Sequence, residues 1–161
     1  MSNKPYGISY NAYMIMPRLV QALGGQQFLD AIGVKSRDLP EAALIERVRV
    51  GLPYSSLEAV ASRIGLSAAE LLGILRIPQR TLARRKKTQM LAADESDRLV
   101  RLARIGAFAE QTHGNAVRAG RWLREPNSAL GNVAPIQWLD TDLGAKEVEE
   151  LLIRIAHGVY S

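Results

Sequence analysis

Between Arg76 and Lys87 the chain carries six basic side chains, Arg76, Arg80, Arg84, Arg85, Lys86 and Lys87, and no acidic one. Cations at that density with no carboxylate to neutralise them attract polyanions, above all the phosphates of a nucleic acid. Arg80, Arg84 and Lys87 follow one another at intervals of four and three, which puts them on one face of a helix, while Ile77 and Leu82 point back toward a core. A short basic helix just after another short helix is the geometry in which a recognition helix lies in the major groove, its flanks on phosphates. On that reading Arg80, Arg84 and Lys87 line the groove, and Arg85 and Lys86 meet phosphates.

Other chemistry finds little support. The chain has no cysteine, which excludes disulfides, thiolate metal sites and thiol nucleophiles. His113 and His157 lie far apart with no carboxylate at ligand spacing, so no metal site is expected. There is no P-loop and no glycine-rich dinucleotide fingerprint, and Glu147, Glu149 and Glu150 crowd along one face that reads as solvated charge. The expectation is a protein that is not an enzyme and uses no cofactor.

The elements that position the basic run are readable from their punctuation. Apolar residues recur at three and four, and alternating strand patterns are missing, so the fold class expected is all-α. Pro17 to Ile32 suggests two short helices broken at Gly24-Gly25, with Leu19, Val20, Leu23, Phe28, Leu29 and Ile32 inward. Pro40 opens a helix that Gly51 and Pro53 end. Two capping boxes, Ser55-x-x-Glu58 and Ser67-x-x-Glu70, start the next two helices, the first stopping at Gly65. Ile77-Pro78 cannot lie inside a helix, so Pro78 starts another, through about Lys87. A long apolar helix from Asp94 to Thr112, with Asp94–Arg98 and Asp97–Arg101 pairs, reads as central and closes at Gly114. A helix holding Val117, Trp122 and Leu123, a turn-rich loop from Pro126 to Pro135, and a last helix from about Asp142 to Gly158 complete the chain. The two tryptophans, Trp122 and Trp138, and the stripe Val148, Leu151, Leu152 and Ile155 are read as core.

With 161 residues, 47% apolar and 23% charged, the chain is long enough for one or two small domains. No apolar run approaches the roughly 18 to 20 residues a bilayer requires, and the N-terminus lacks signal-peptide character, so no membrane role and a cytoplasmic location are expected. The net charge of +5 is uneven: residues 1–91 hold 13 basic and 6 acidic side chains, or +7, and residues 92–161 hold 8 and 10, or −2. Two halves of opposite sign suit two different partners.

Glu70-Leu71-Leu72, Leu75, Ile77 and Arg80-Thr81-Leu82-Ala83-Arg84-Arg85-Lys86 resemble the Xre-type helix-turn-helix of bacterial antitoxins. In that register Gln79, Arg80, Ala83, Arg84 and Lys87 face DNA, and the DNA-binding set implied is Gln79, Arg80, Thr81, Arg84, Arg85, Lys86 and Lys87. Leu72 stands where the family has a small Ala, and Arg76 where it has a Gly of positive φ. Trp122-Leu123, Pro126-Asn127, Ala129-Leu130-Gly131, Pro135, Leu139-Asp140-Thr141, Gly144-Ala145, Glu147-Val148-Glu149, Leu151-Leu152, Arg154-Ile155 and His157-Gly158-Val159-Tyr160 closely resemble the toxin-binding domain of Xre/MbcA/ParS-type antitoxins.

The resemblance implies a partner, a RES-domain toxin that attacks NAD or uses it to ADP-ribosylate a target, which the antitoxin silences by obstructing the active-site cleft. It also implies operator DNA as a ligand and repression of the chain's own operon. The domains expected are an N-terminal helical segment of unnamed role at 1–35, a helix-turn-helix domain at 36–92 and a toxin-binding domain at 93–161. One recognition helix reads few base pairs, so a homodimer is expected, with a higher-order complex when toxin binds. After Gly158 closes the last helix, Val159-Tyr160-Ser161 places an aromatic beside the terminal carboxylate, where an anchor for a partner pocket would sit. The toxin-binding set is then Arg154, His157, Gly158, Val159, Tyr160 and Ser161. The competing reading is a free-standing dimeric helix-turn-helix regulator whose C-terminal helices dimerise or bind a ligand.

Overall fold

The computed structural model describes Ile32 and residues 41–158. The expected helices before Ile32, the opening Pro40 and the tail Val159 to Ser161 lie outside the described residues. Ile32 itself is fully buried in the core, as its place in the apolar pattern suggested.

Seven α-helices and two short 3₁₀ turns account for the described chain, and no strand occurs among the described residues. They are α1 (Glu41–Val50), α2 (Ser55–Ile64), α3 (Ala68–Leu75), α4 (Gln79–Thr88), α5 (Ala93–His113), α6 (Ala116–Arg124) and α7 (Asp142–Ala156), with the 3₁₀ turns Ser128–Leu130 and Pro135–Trp138 between the last two. The 21-residue α5 is the spine. Its Leu99, Leu102, Ala103, Ile105 and Ala109 are buried, and it meets α1, α2 and α3 on one side of the chain's order and α6 and α7 on the other. No helix of the described residues is long and apolar enough to cross a membrane.

Leu57, Val60 and Ile64 give α2 its buried stripe at intervals of three and four, and Gly65, in the left-handed region at φ 72°, stops it. Ser55 does not cap this helix as expected. Tyr54 is the N-cap and makes no side-chain cap bond. Its N–H donates to Gln89 O at 3.0 Å beside the Pro53–Met90 bridge, so a tertiary contact has already turned the chain and Ser55 falls inside the first turn. The second box forms as read. Glu70 N–H donates to Ser67 Oγ at 3.2 Å and Ser67 N–H to Glu70 Oε2 at 2.7 Å. The Ser67 hydroxyl also donates to Glu70 Oε2 at 2.7 Å, and that bond, the one from Ser67 N–H and the nearby Arg124 hold the Glu70 carboxyl below its usual range.

Helix α6 lies close to the end of α2 because Gly120 has no side chain, a Cβ there standing 2.6 Å from Ile64 O, and α5 does so at Gly106, where a Cβ would stand 2.6 Å from the Ile64 side chain. Asn115 caps α6 by accepting from Arg118 N–H at 2.9 Å, and Thr141 caps α7 by accepting from Gly144 N–H at 3.1 Å. The α7 stripe Val148, Leu151 and Leu152 is buried, while Ile155, Trp122 and Trp138 are half-buried at its margin.

Glu147 and Glu150 are exposed as expected, but Glu149 is not. It lies at the edge of the α5–α7 contact, its side chain 12% exposed, and accepts from Arg104 Nη2 at 3.4 Å. Burial pushes its carboxyl above the usual range, against the pull of Arg104. A raised folded pKa means the ionised form is disfavoured in the fold, a cost present at neutral pH that vanishes as pH falls through that pKa. Glu149→Gln should therefore melt no lower than wild type at neutral pH, with any advantage closing on acidification. A lower Tm at neutral pH would mean that attraction to Arg104 outweighs burial.

Candidate functional site

Helices α3 and α4 are joined by the three residues Arg76-Ile77-Pro78, the spacing of a helix-turn-helix. Arg76 adopts the left-handed conformation at φ 51°, the position where a Gly would be unstrained. Its guanidinium reaches Asp140 Oδ2 at 2.6 Å, in the segment before α7. Ile77 is buried, so the turn is pinned on its apolar side, and Pro78 launches α4 from an extended N-cap. Leu72, where a small residue was expected, is only half-buried and stands at the rim of the core.

Helix α4 buries no residue fully. Leu82 and Thr81 are its half-buried inner residues, and Gln79, Arg80, Ala83, Arg84, Lys86 and Lys87 are exposed. Nine arginines elsewhere or on the inner side of this helix hold carboxylates, yet Arg80, Arg84, Lys86 and Lys87 have none among the described residues. Four unneutralised cations on one short helix set up a field that a phosphate backbone would relieve.

Arg85 departs from its expected place on a phosphate. It turns inward, 18% exposed, and its Nε donates to Glu95 Oε2 at 2.7 Å. Position 85 is three residues after Leu82, so it shares the inner face that meets the start of α5. Glu95 is itself buried and also accepts from Ala92 N–H at 2.8 Å. Sequence reasoning did not single out Glu95; the signal available was an acidic residue in the first turn of a helix, which usually means only a cap.

At the other end, Arg154 is half-buried on the last turn of α7 with its Nε buried and unpaired. His157 and Gly158 are exposed where the helix ends, Gly158 at φ 68°. These three share one helix terminus, and Val159, Tyr160 and Ser161 of the expected toxin-binding set lie beyond the described residues. The other histidine, His113, stacks on Trp122 with ring centroids 5.0 Å apart, and burial holds its pKa below the usual value. Arg124, also unforeseen, clamps the two halves: it donates to Gly65 O and to Gly120 O, and reaches Glu70 Oε1 at 3.3 Å.

Residues 43–104 match the antitoxin Xre-like helix-turn-helix domain, and residues 108–158 match the antitoxin Xre/MbcA/ParS C-terminal toxin-binding domain. Antitoxin Xre of Pseudomonas putida is 40% identical over 126 residues, spanning 75% of this chain and 78% of that protein. The chain belongs to the Xre antitoxin family. Antitoxin Xre of Yersinia enterocolitica is 30% identical over 73% of this chain and 81% of its own length. A protein of a Sphingobium species named Prs ADP-ribosylating antitoxin is 26% identical over 76% of this chain and 86% of its own length. The matched families are antitoxin families and not enzyme families, and the toxin-binding domain of this antitoxin implies a toxin partner. The two matched segments adjoin within α5, and the second ends at residue 158.

Proposed function

We propose that the chain neutralises a RES-domain toxin, one that consumes NAD or uses it to ADP-ribosylate a target, and that it represses its own operon through α4. The observation that carries the DNA half is the outer face of α4, where Arg80, Arg84, Lys86 and Lys87 stand exposed with no carboxylate partner among the described residues. Gln79, exposed at the start of that helix, belongs to the same DNA-binding set, while Thr81, expected in it, is half-buried on the inner side. Two copies would bind half-sites about one helical turn apart, which calls for a homodimer. The toxin half rests on the toxin-binding domain and on a relative whose name joins antitoxin to ADP-ribosylation.

Obstruction of a cleft requires a group that projects past the packed helices. The group assigned to this task is Val159, Tyr160 and Ser161, which follow Arg154, His157 and Gly158 in the sequence, with Tyr160 as the anchor. A fully desolvated aromatic anchor carries about 2 kcal/mol or more of binding. Deleting residues 159–161 should leave the fold and operator binding intact and abolish rescue of cells that co-express the cognate toxin, with Tyr160→Ala giving a milder defect. Full rescue by the folded, shortened chain would move the obstruction to the Trp122 to Asp140 region.

A further inference from the structure

Helix α4 presents its cations outward yet buries none of its own residues fully, so little apolar packing sets its rotation about its axis. Leu82 supplies a half-buried apolar contact, and such a contact tolerates rolling because dispersion is not directional. Backbone bonds hold the chain just past its C-terminal end, and the directional side-chain contact from the helix itself is the bond from Arg85 Nε to Glu95 Oε2 at 2.7 Å, with side chains 18% and 6% exposed. Glu95 is fixed in turn, because the same oxygen accepts from Ala92 N–H at 2.8 Å at the first turn of α5. A buried carboxylate with two donors is a rigid post, and an arginine Nε–H is a single fixed vector on a planar group.

Arg84 and Lys86 flank Arg85 and diverge from it by about 100° on the helix. Holding Arg85 on the core therefore fixes where its neighbours point. We infer that Glu95 and Arg85 are positioning residues for operator reading: they set the roll of α4 so that Arg80 and Arg84 meet base edges, and neither touches DNA. The inference rests on the DNA-binding reading above. It differs from a phosphate contact by Arg85 in what it predicts for non-specific DNA, since phosphate contacts serve every sequence alike and roll matters only for base edges.

The test uses the purified full-length chain with two fluorescent duplexes of equal length, one from upstream of its own gene and one of random sequence, titrated at several salt concentrations. Glu95→Gln keeps an acceptor for Ala92 but removes the charge, and Arg85→Lys keeps the charge but loses the planar Nε–H. Each variant should weaken binding to the upstream duplex by about tenfold, the worth of a charge-assisted bond. Affinity for the random duplex and the slope of log K against log salt should stay at wild-type values. A lysine suffices as a phosphate ligand, so wild-type upstream affinity in Arg85→Lys would overturn the inference, as would an equal loss on both duplexes. Circular dichroism and toxin pull-down report folding, and if Glu95→Gln unfolds, Arg85→Lys alone decides. Arg84→Ala separates the two levels. Weakened upstream binding there with no effect of Arg85→Lys overturns only the positioning role, whereas no effect of Arg84→Ala removes the DNA-reading role of α4 and the inference with it.

Discussion

Gly51→Ala should cost about 3 kcal/mol or more of stability and lower Tm on the order of 10 °C. Gly51 sits at φ 111°, a region that L side chains rarely adopt, and a Cβ there would stand 2.2 Å from Leu91 O. Leu91 is part of the clasp that closes the helix-turn-helix: Leu91 N–H donates to Leu52 O at 2.9 Å, Tyr54 N–H donates to Gln89 O at 3.0 Å, and Pro53 bridges Met90. Leu52 N–H is meanwhile held by the buried Ser96 Oγ at 2.8 Å. The added carbon meets backbone that these bonds pin from both sides, so relief requires opening the clasp that joins the segment before α2 to the segment after α4. Thermal and urea melts of the purified variant measure the effect, and a melt indistinguishable from wild type would contradict the closure described at this point.

Replacing Arg80 and Arg84 together by Ala should reduce operator affinity at least about a hundredfold, because a good side-chain contact to a base edge carries about 1 to 3 kcal/mol and two such contacts combine. The loss should not come from unfolding. Ala is the best helix former, both side chains are exposed, and neither holds a partner among the described residues. Melting temperature and toxin pull-down should match wild type, while anisotropy with upstream DNA shows the deficit. Affinity unchanged in this double variant would detach the basic face of α4 from DNA altogether.

Which parts of this arrangement could be read from the chain follows from how local their causes are. Ser67 and Glu70 are three residues apart and satisfy each other, so the start of α3 is written in four residues. Pro78 enforces the start of α4 by its own missing N–H. The left-handed turn at position 76 was legible from the register even though Arg occupies it. Ser55 failed as a cap because the N–H of Tyr54 is claimed by Gln89, 35 positions along the chain, and no local pattern reports that bond. Arg85 looked like its neighbours in a basic run, and only the docking of α4 on α5 shows that its partner is Glu95. Glu149 is the same case in reverse: one of three similar glutamates, distinguished by its burial at the α5–α7 contact, where Arg104 of another helix meets it. Cation spacing thus identified the helix that carries the charge, and packing decided which cation faces inward.

Two separable surfaces on one chain are the centre of the account, and a single double-reporter experiment addresses them. Cells expressing the cognate toxin and a reporter driven by the DNA upstream of this gene would receive wild type, Arg80→Ala with Arg84→Ala, or the chain ending at Gly158. The account predicts that the double variant restores growth but leaves the reporter on, and that the shortened chain silences the reporter but fails to restore growth. A double variant that fails at both tasks while remaining folded would contradict it, since DNA reading and toxin silencing would then share one surface.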